Sequence, residues 1–125
     1  MTRLHRSEFL REAKALFPSL RPALNREYGL LHLEMHAFCD FVQGAIDAGD
    51  RQTVAKAFTL CTKLLTEGNS DMVSALTVSC LEHLNFADGQ IPRSWAKDLM
   101  PPALAKQHQG IVEYNRKRAS KKRSS

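Results

Sequence analysis

No segment of this 125-residue chain approaches the roughly eighteen apolar residues of a membrane span, and its N-terminus, from Met1 to Leu10, lacks the apolar run of a secretory signal. A soluble cytoplasmic protein is the expectation. Catalytic signatures are missing too. There is no GxSxG elbow for a nucleophilic serine and no HExxH helix for zinc, and the six glycines never cluster into a phosphate cradle. Cysteine is scarce. Cys39, Cys61 and Cys80 make an odd number without a CxxC spacing, and each falls on or beside an apolar helical face, so buried free thiols in reducing surroundings are expected rather than a disulfide framework. Nothing in the composition calls for a metal or a cofactor, and a chain of this size buries about two thirds of its unfolded surface around one core.

Acidic residues are absent from the last ten positions, and this absence explains the formal charge of +5. Six of the 18 basic side chains lie there, which leaves residues 1–115 with 12 basic against 13 acidic, a balance of −1. Residues 31–90 are acidic, with three Lys or Arg against eight Asp or Glu. The chain is polarised, with basic ends around an acidic centre.

What is present is a repeat. Gly49-Asp50-Arg51-Gln52-Thr53-Val54 and Gly68-Asn69-Ser70-Asp71-Met72-Val73 each open on glycine plus an Asx residue and reach valine five positions later. A shift of 19 places Val54 on Val73, Ala57 on Leu76, Cys61 on Cys80 and Leu65 on Leu84. Steps of three, four and four trace one face of a helix. Gly49 and Gly68 read as left-handed stops for the helices before them. Asp50, Asn69 and Ser70 then supply caps for the helices that follow.

The rest of the chain fits around this pair. Ser7 reads as the cap of a first helix with Phe9, Ala13 and Leu16 on its apolar face, and Pro18 ends it. The pattern Phe17-Pro18 through Leu24 reads as a kinked connector. Leu31, Met35, Phe38, Val42 and Ala45 or Ile46 mark a second long helix. The third spans about 51–66 and the fourth about 70–85. Ser94 caps a short turn holding Trp95 and Leu99, and Pro101-Pro102 open a last helix with Leu104, His108, Ile111 and Tyr114 on one side. The expectation is an all-α antiparallel bundle of about five helices in one domain over residues 1–115. Its three-helix core is expected over residues 30–85, with a disordered basic tail over 116–125. Val54, Phe58, Cys61, Leu65, Val73, Leu76, Cys80, Leu81, Leu84, Met35, Phe38 and Val42 are the expected core.

Gly49-Asp50, Val54, Ala57-Phe58, Leu64-Leu65, Gly68-Asn69, Val73 and the run Val78-Ser79-Cys80-Leu81-Glu82-His83-Leu84 together resemble a small bacterial helical family of undefined function. Its members look like immunity or accessory proteins that sit beside toxin genes. The likeness covers residues 31–84, and Cys80 stands where such proteins often carry an aromatic residue. The resemblance implies a helical fold and a role in binding a toxin.

Three sets of residues are candidates for function. His32 and His36 lie four apart with Cys39 and Asp40 a turn further on, a stripe of metal-type ligands that lacks a second cluster to complete it, so that no metal site is expected. Asp47, Asp50, Glu67, Asp71, Glu82 and Asp88 lie near turns or helix ends, and an acidic face of this kind would draw in a basic toxin domain and block it. Arg116, Lys117, Arg118, Lys121, Lys122 and Arg123 form the alternative, a nucleic-acid-associated accessory protein acting through charge alone. The expected function is non-enzymatic protein binding, as an immunity protein that neutralises a cognate toxin through the acidic surface.

Overall fold

The computed structural model describes residues 4–27 and 29–123, with the side chains of 118–123 outside the described set. The chain is all-α. Among the described residues there is no strand, only a lone bridge between Leu4 and Gly68, and no helix is long and apolar enough to cross a membrane. Six α-helices follow in order: α1 (Arg6–Leu16), α2 (Arg21–Arg26), α3 (Leu31–Asp47), α4 (Arg51–Glu67), α5 (Ser70–Leu76) and α6 (Pro102–Arg123). Short 3-10 turns cover Pro18–Leu20 and Ser94–Leu99. The sequence pattern accounts for five of these helices. The sixth, α2, forms where a kinked connector is expected, because Pro22 sits in its first turn, where a missing amide costs nothing.

Glycine and Asx chemistry sets the turns, in two different ways. Gly49 takes φ +72° after α3, and Asp50 then caps α4 by accepting from the Thr53 amide at 3.2 Å and the Thr53 hydroxyl at 2.7 Å. Gly68 is not left-handed: its φ is −73°. Glycine is required there by crowding, since a Cβ would collide with the Leu64 carbonyl oxygen and the Met72 side chain. Asn69 rather than Ser70 caps α5, its Oδ1 accepting from the Met72 amide at 2.9 Å. At α1 the cap position is His5, two residues before Ser7, and Glu8 reaches back to accept from the His5 amide.

Long-range contacts give the helix directions. Arg6 meets Glu34, Phe9 meets Phe38 and Phe17 meets Phe41, so α1 and α3 run the same way. His32 meets Ser79 and Gln43 meets Asn85, so the segment after α5 follows α3. Leu4 meets Glu67 and Lys63 meets Glu12, so α4 runs against them. Phe9, Met35, Phe38, Val42, Ile46, Val54, Phe58, Cys61, Leu64, Met72 and Leu76 are fully buried between these helices.

Two members of the expected core lie at its edge. Leu65 and Val73 are half-buried, and Leu64 and Met72 take the inward places beside them. On α5 the shift has a backbone cause. The helix widens into a π turn over Thr77–Leu81, with the Glu82 amide reaching five residues back to the Thr77 carbonyl at 3.1 Å. One extra residue per turn lets Met72, Ala75 and Leu76 face inward before the widening and Cys80, Leu81 and Leu84 after it. A plain 3.6 repeat cannot express both. Leu16 of α1 is exposed, and Leu10 is buried in its stead.

α6 anchors at its start. Leu104 is fully buried, and His108 stands edge-on to Phe86 at 5.1 Å, where burial and then Lys97 hold its imidazole below the ordinary value. From Val112 to Lys117 every residue is exposed, yet the helix continues to Arg123 through the stretch expected to be a tail. Lysine, arginine and alanine are good helix formers, and basic residues at a helix C-terminus complement its dipole.

Candidate functional site

The six acidic residues do not form one face. α4 has 17 residues and is about 25 Å long, and Asp50 and Glu67 flank its opposite ends. At the Asp50 end, the carboxylates are engaged within the fold. Asp47 accepts from Arg93 at 2.7 Å and from Gln43 at 3.1 Å, and these bonds lower its pKa. Asp50 caps α4, and the Thr53 hydroxyl and amide lower its pKa too. Asp88 ties down the loop after Phe86, accepting from the Ser94 amide at 2.9 Å, the Ser94 hydroxyl at 2.7 Å and the Arg93 amide at 2.8 Å. These bonds bring its pKa to about 2.

Glu67 and Asp71 lie at the other end, four residues apart across the α4–α5 corner, and both are exposed. The corner also carries a shallow groove of about 610 Å³ lined by Gly68, Asn69, Ser70, Val73 and Ser74. The corner is held from below by the start of the chain. The Leu4 amide donates to the Glu67 carbonyl at 2.8 Å, the Asn69 amide donates to the Leu4 carbonyl at 3.0 Å, and the Asn69 and His5 side chains meet at 2.9 Å. Backbone pairing of this sort fixes the course of the chain through the corner. Glu82 is exposed beyond the π turn, on another part of the surface.

The histidine stripe separates by chemistry. His32 Nδ1 lies 2.8 Å from the Ser79 hydroxyl, while His36 sits 3.5 Å from Asp40 and stacks edge-on to His83 at 6.0 Å. Cys39 leaves the stripe, turning inward to donate its thiol to the Cys80 carbonyl at 3.2 Å. Among the described residues no group of three such side chains is placed to hold a metal ion. Cys39, Cys61 and Cys80 are all buried and converge from three helices. The neighbouring Cys39 and Cys61 thiols and burial push the Cys80 thiol well above its ordinary value, so it does not ionise as a nucleophile must.

Of the basic candidates, Arg116 and Lys117 are exposed on α6; the side chains of Arg118, Lys121, Lys122 and Arg123 lie outside the described residues. The pair that the sequence reading missed is Arg6 and Glu34. Glu34 is fully buried, receiving Arg6 Nε at 2.6 Å, a second guanidinium nitrogen at 2.7 Å and the Gly29 amide at 3.2 Å. The available signal was spacing: Glu34 stands four before Phe38, on the face that buries Met35 and Phe38.

A family model described as a domain of unknown function, DUF7674, matches residues 10–117, most of the chain, and the protein belongs to that family. No curated protein and no solved structure matches it significantly.

Proposed function

We propose that this DUF7674 member is a small cytoplasmic protein-binding module, not an enzyme, of the immunity type that the sequence resembles, and that it neutralises a basic toxin domain. The observation that carries the reading is the α4–α5 corner. Glu67 and Asp71 present two carboxylates to solvent at a corner that also carries an open groove, on backbone tied to Leu4. Such a corner receives a lysine or arginine of the partner without rearranging, and its charge speeds the encounter. The helical-hairpin core of α3, α4 and α5 serves as the rigid mount. Asp47, Asp50 and Asp88 act within it as fold-holding groups, so the acidic surface reduces to Glu67 and Asp71, with Glu82 apart.

A nucleic-acid-associated accessory role is favoured by one observation, the continuation of α6 to Arg123 with Arg116 and Lys117 exposed. The family match ends at 117, before most of the basic run, and this supports locating a family-wide activity in the body. The two readings separate first on the neighbouring gene, where a toxin-like reading frame supports toxin binding and its absence counts against it, and then on co-expression with that gene's product. Glu67→Lys with Asp71→Lys is expected to abolish co-purification and protection, while removal of residues 116–125 leaves both intact. Loss on truncation but not on charge reversal, with salt-sensitive retention on DNA, overturns the toxin-binding reading.

A further inference from the structure

We infer that the cleft between α6 and the 3-10 turn before it binds a small organic monocarboxylate with an apolar body, its anionic end at Lys97 and His108. Local spacing builds the cleft from two sides. Ala105, His108, Gln109 and Val112 lie at steps of three, one and three, which is one face of a helix. Lys97 and Met100 come from the end of the Ser94–Leu99 turn, where the Met100 amide donates to the Lys97 carbonyl at 3.2 Å. Only Pro101 separates Met100 from α6, so the two sides stay close. The space they enclose is about 330 Å³, within the range of small-molecule sites.

Two polar groups of the cleft lack partners. His108 is half-buried with its ring edge-on to Phe86, and its ring nitrogens make no hydrogen bond with another described residue. Withdrawing such a group from water unpartnered costs free energy that a ligand recovers. Lys97 is exposed and pairs with no carboxylate among the described residues. Glu113 meets the Gln109 amide at 3.5 Å but is not part of the lining. Since burial and Lys97 keep the imidazole below its ordinary value, the cleft offers one ammonium beside one neutral hydrogen-bonding ring at neutral pH. Its other walls are apolar, with Met100 and Ala105 half-buried and Val112 49% exposed. Water satisfies the imidazole but leaves Val112 wet and Lys97 unpaired. A single cation against apolar walls suits a monoanion with a hydrocarbon body, and phosphate finds too few donors there. None of these residues belongs to the α4–α5 corner, so the site stands or falls separately from toxin binding.

Titration of the full chain with octanoate, followed through the ring NMR signals of His108, tests the assignment. A saturable shift is expected with a dissociation constant on the order of 1 mM, in keeping with the efficiency of a ligand of about ten heavy atoms. Octanol, which has the chain without the charge, and acetate, which has the charge without the chain, should each bind at least about fivefold more weakly. Lys97→Met should weaken octanoate about fivefold, and Lys97→Arg should retain it. Val112→Ser should weaken it by roughly the same factor through lost apolar contact. Both positions are exposed, and circular dichroism should show each variant folded. Octanol or inorganic phosphate binding as tightly as octanoate, octanoate binding indifferent to Lys97→Met or to Val112→Ser, or an unmoved His108 at about 10 mM octanoate, well above the expected constant, would each overturn the assignment.

Discussion

Arg6 closes a bidentate ion pair on Glu34, a carboxylate with no solvent exposure, and so joins the first turn of α1 to the first turn of α3. Gly29 adds its amide to the same group, which brings the link before α3 into the joint. A buried charge is tolerable only while its partners remain. Arg6→Ala should therefore cost about 3 kcal/mol in chemical denaturation, because it strands Glu34. Replacing both, Arg6→Met with Glu34→Leu, should cost much less. Equal losses from the single and double replacements would show that packing, not the stranded charge, sets the effect.

Two helix-associated glycines should answer a methyl group with opposite signs. Gly44 lies inside α3 with open space around its would-be Cβ, so Gly44→Ala should stabilise the chain by about 0.5–1 kcal/mol through reduced backbone freedom. At Gly68 the same methyl meets the Leu64 carbonyl, which is backbone and cannot swing aside. Gly68→Ala should cost about 1–3 kcal/mol. Melting temperatures moving in the same direction would contradict the crowding assigned to the α4–α5 corner.

Asp88 makes the loop before Trp95 sensitive to acid. An aspartate whose folded pKa is depressed contributes stability above its unfolded value, about 3.9, and that contribution is withdrawn as pH falls through the folded value. With Asp88 held to about 2 by Ser94 and Arg93, the loop anchor should release between about pH 4 and pH 2. Trp95 is the single tryptophan, its indole donating to the Pro92 carbonyl with Arg51 over the ring, so its fluorescence reports the release. Asp88→Ala should move the emission toward the acid-state value at neutral pH and shrink the acid step. An undiminished step in that variant would assign it to another carboxylate.

The sequence by itself determined the all-α class, the extents of α3 and α4, the turn at Gly49-Asp50 and the inward faces through Phe38, Val54, Phe58 and Cys61. Each of these is local: period, cap and stop residues act within a few positions of one another. Tertiary structure decided the rest. The π turn at Thr77–Leu81 arises where one helix must face two sets of neighbours, and no spacing rule within α5 announces it. Gly68 reads as a C-cap from its neighbours but is selected by the Leu64 carbonyl and Met72 pressing on it. Asp47 and Asp88 read as free surface charge because their partners, Arg93 and Ser94, come from a loop whose path local patterns do not specify. Glu34 and Arg6 are 28 positions apart, and only the packing of α1 along α3 removes water from between them and makes the pair a structural joint.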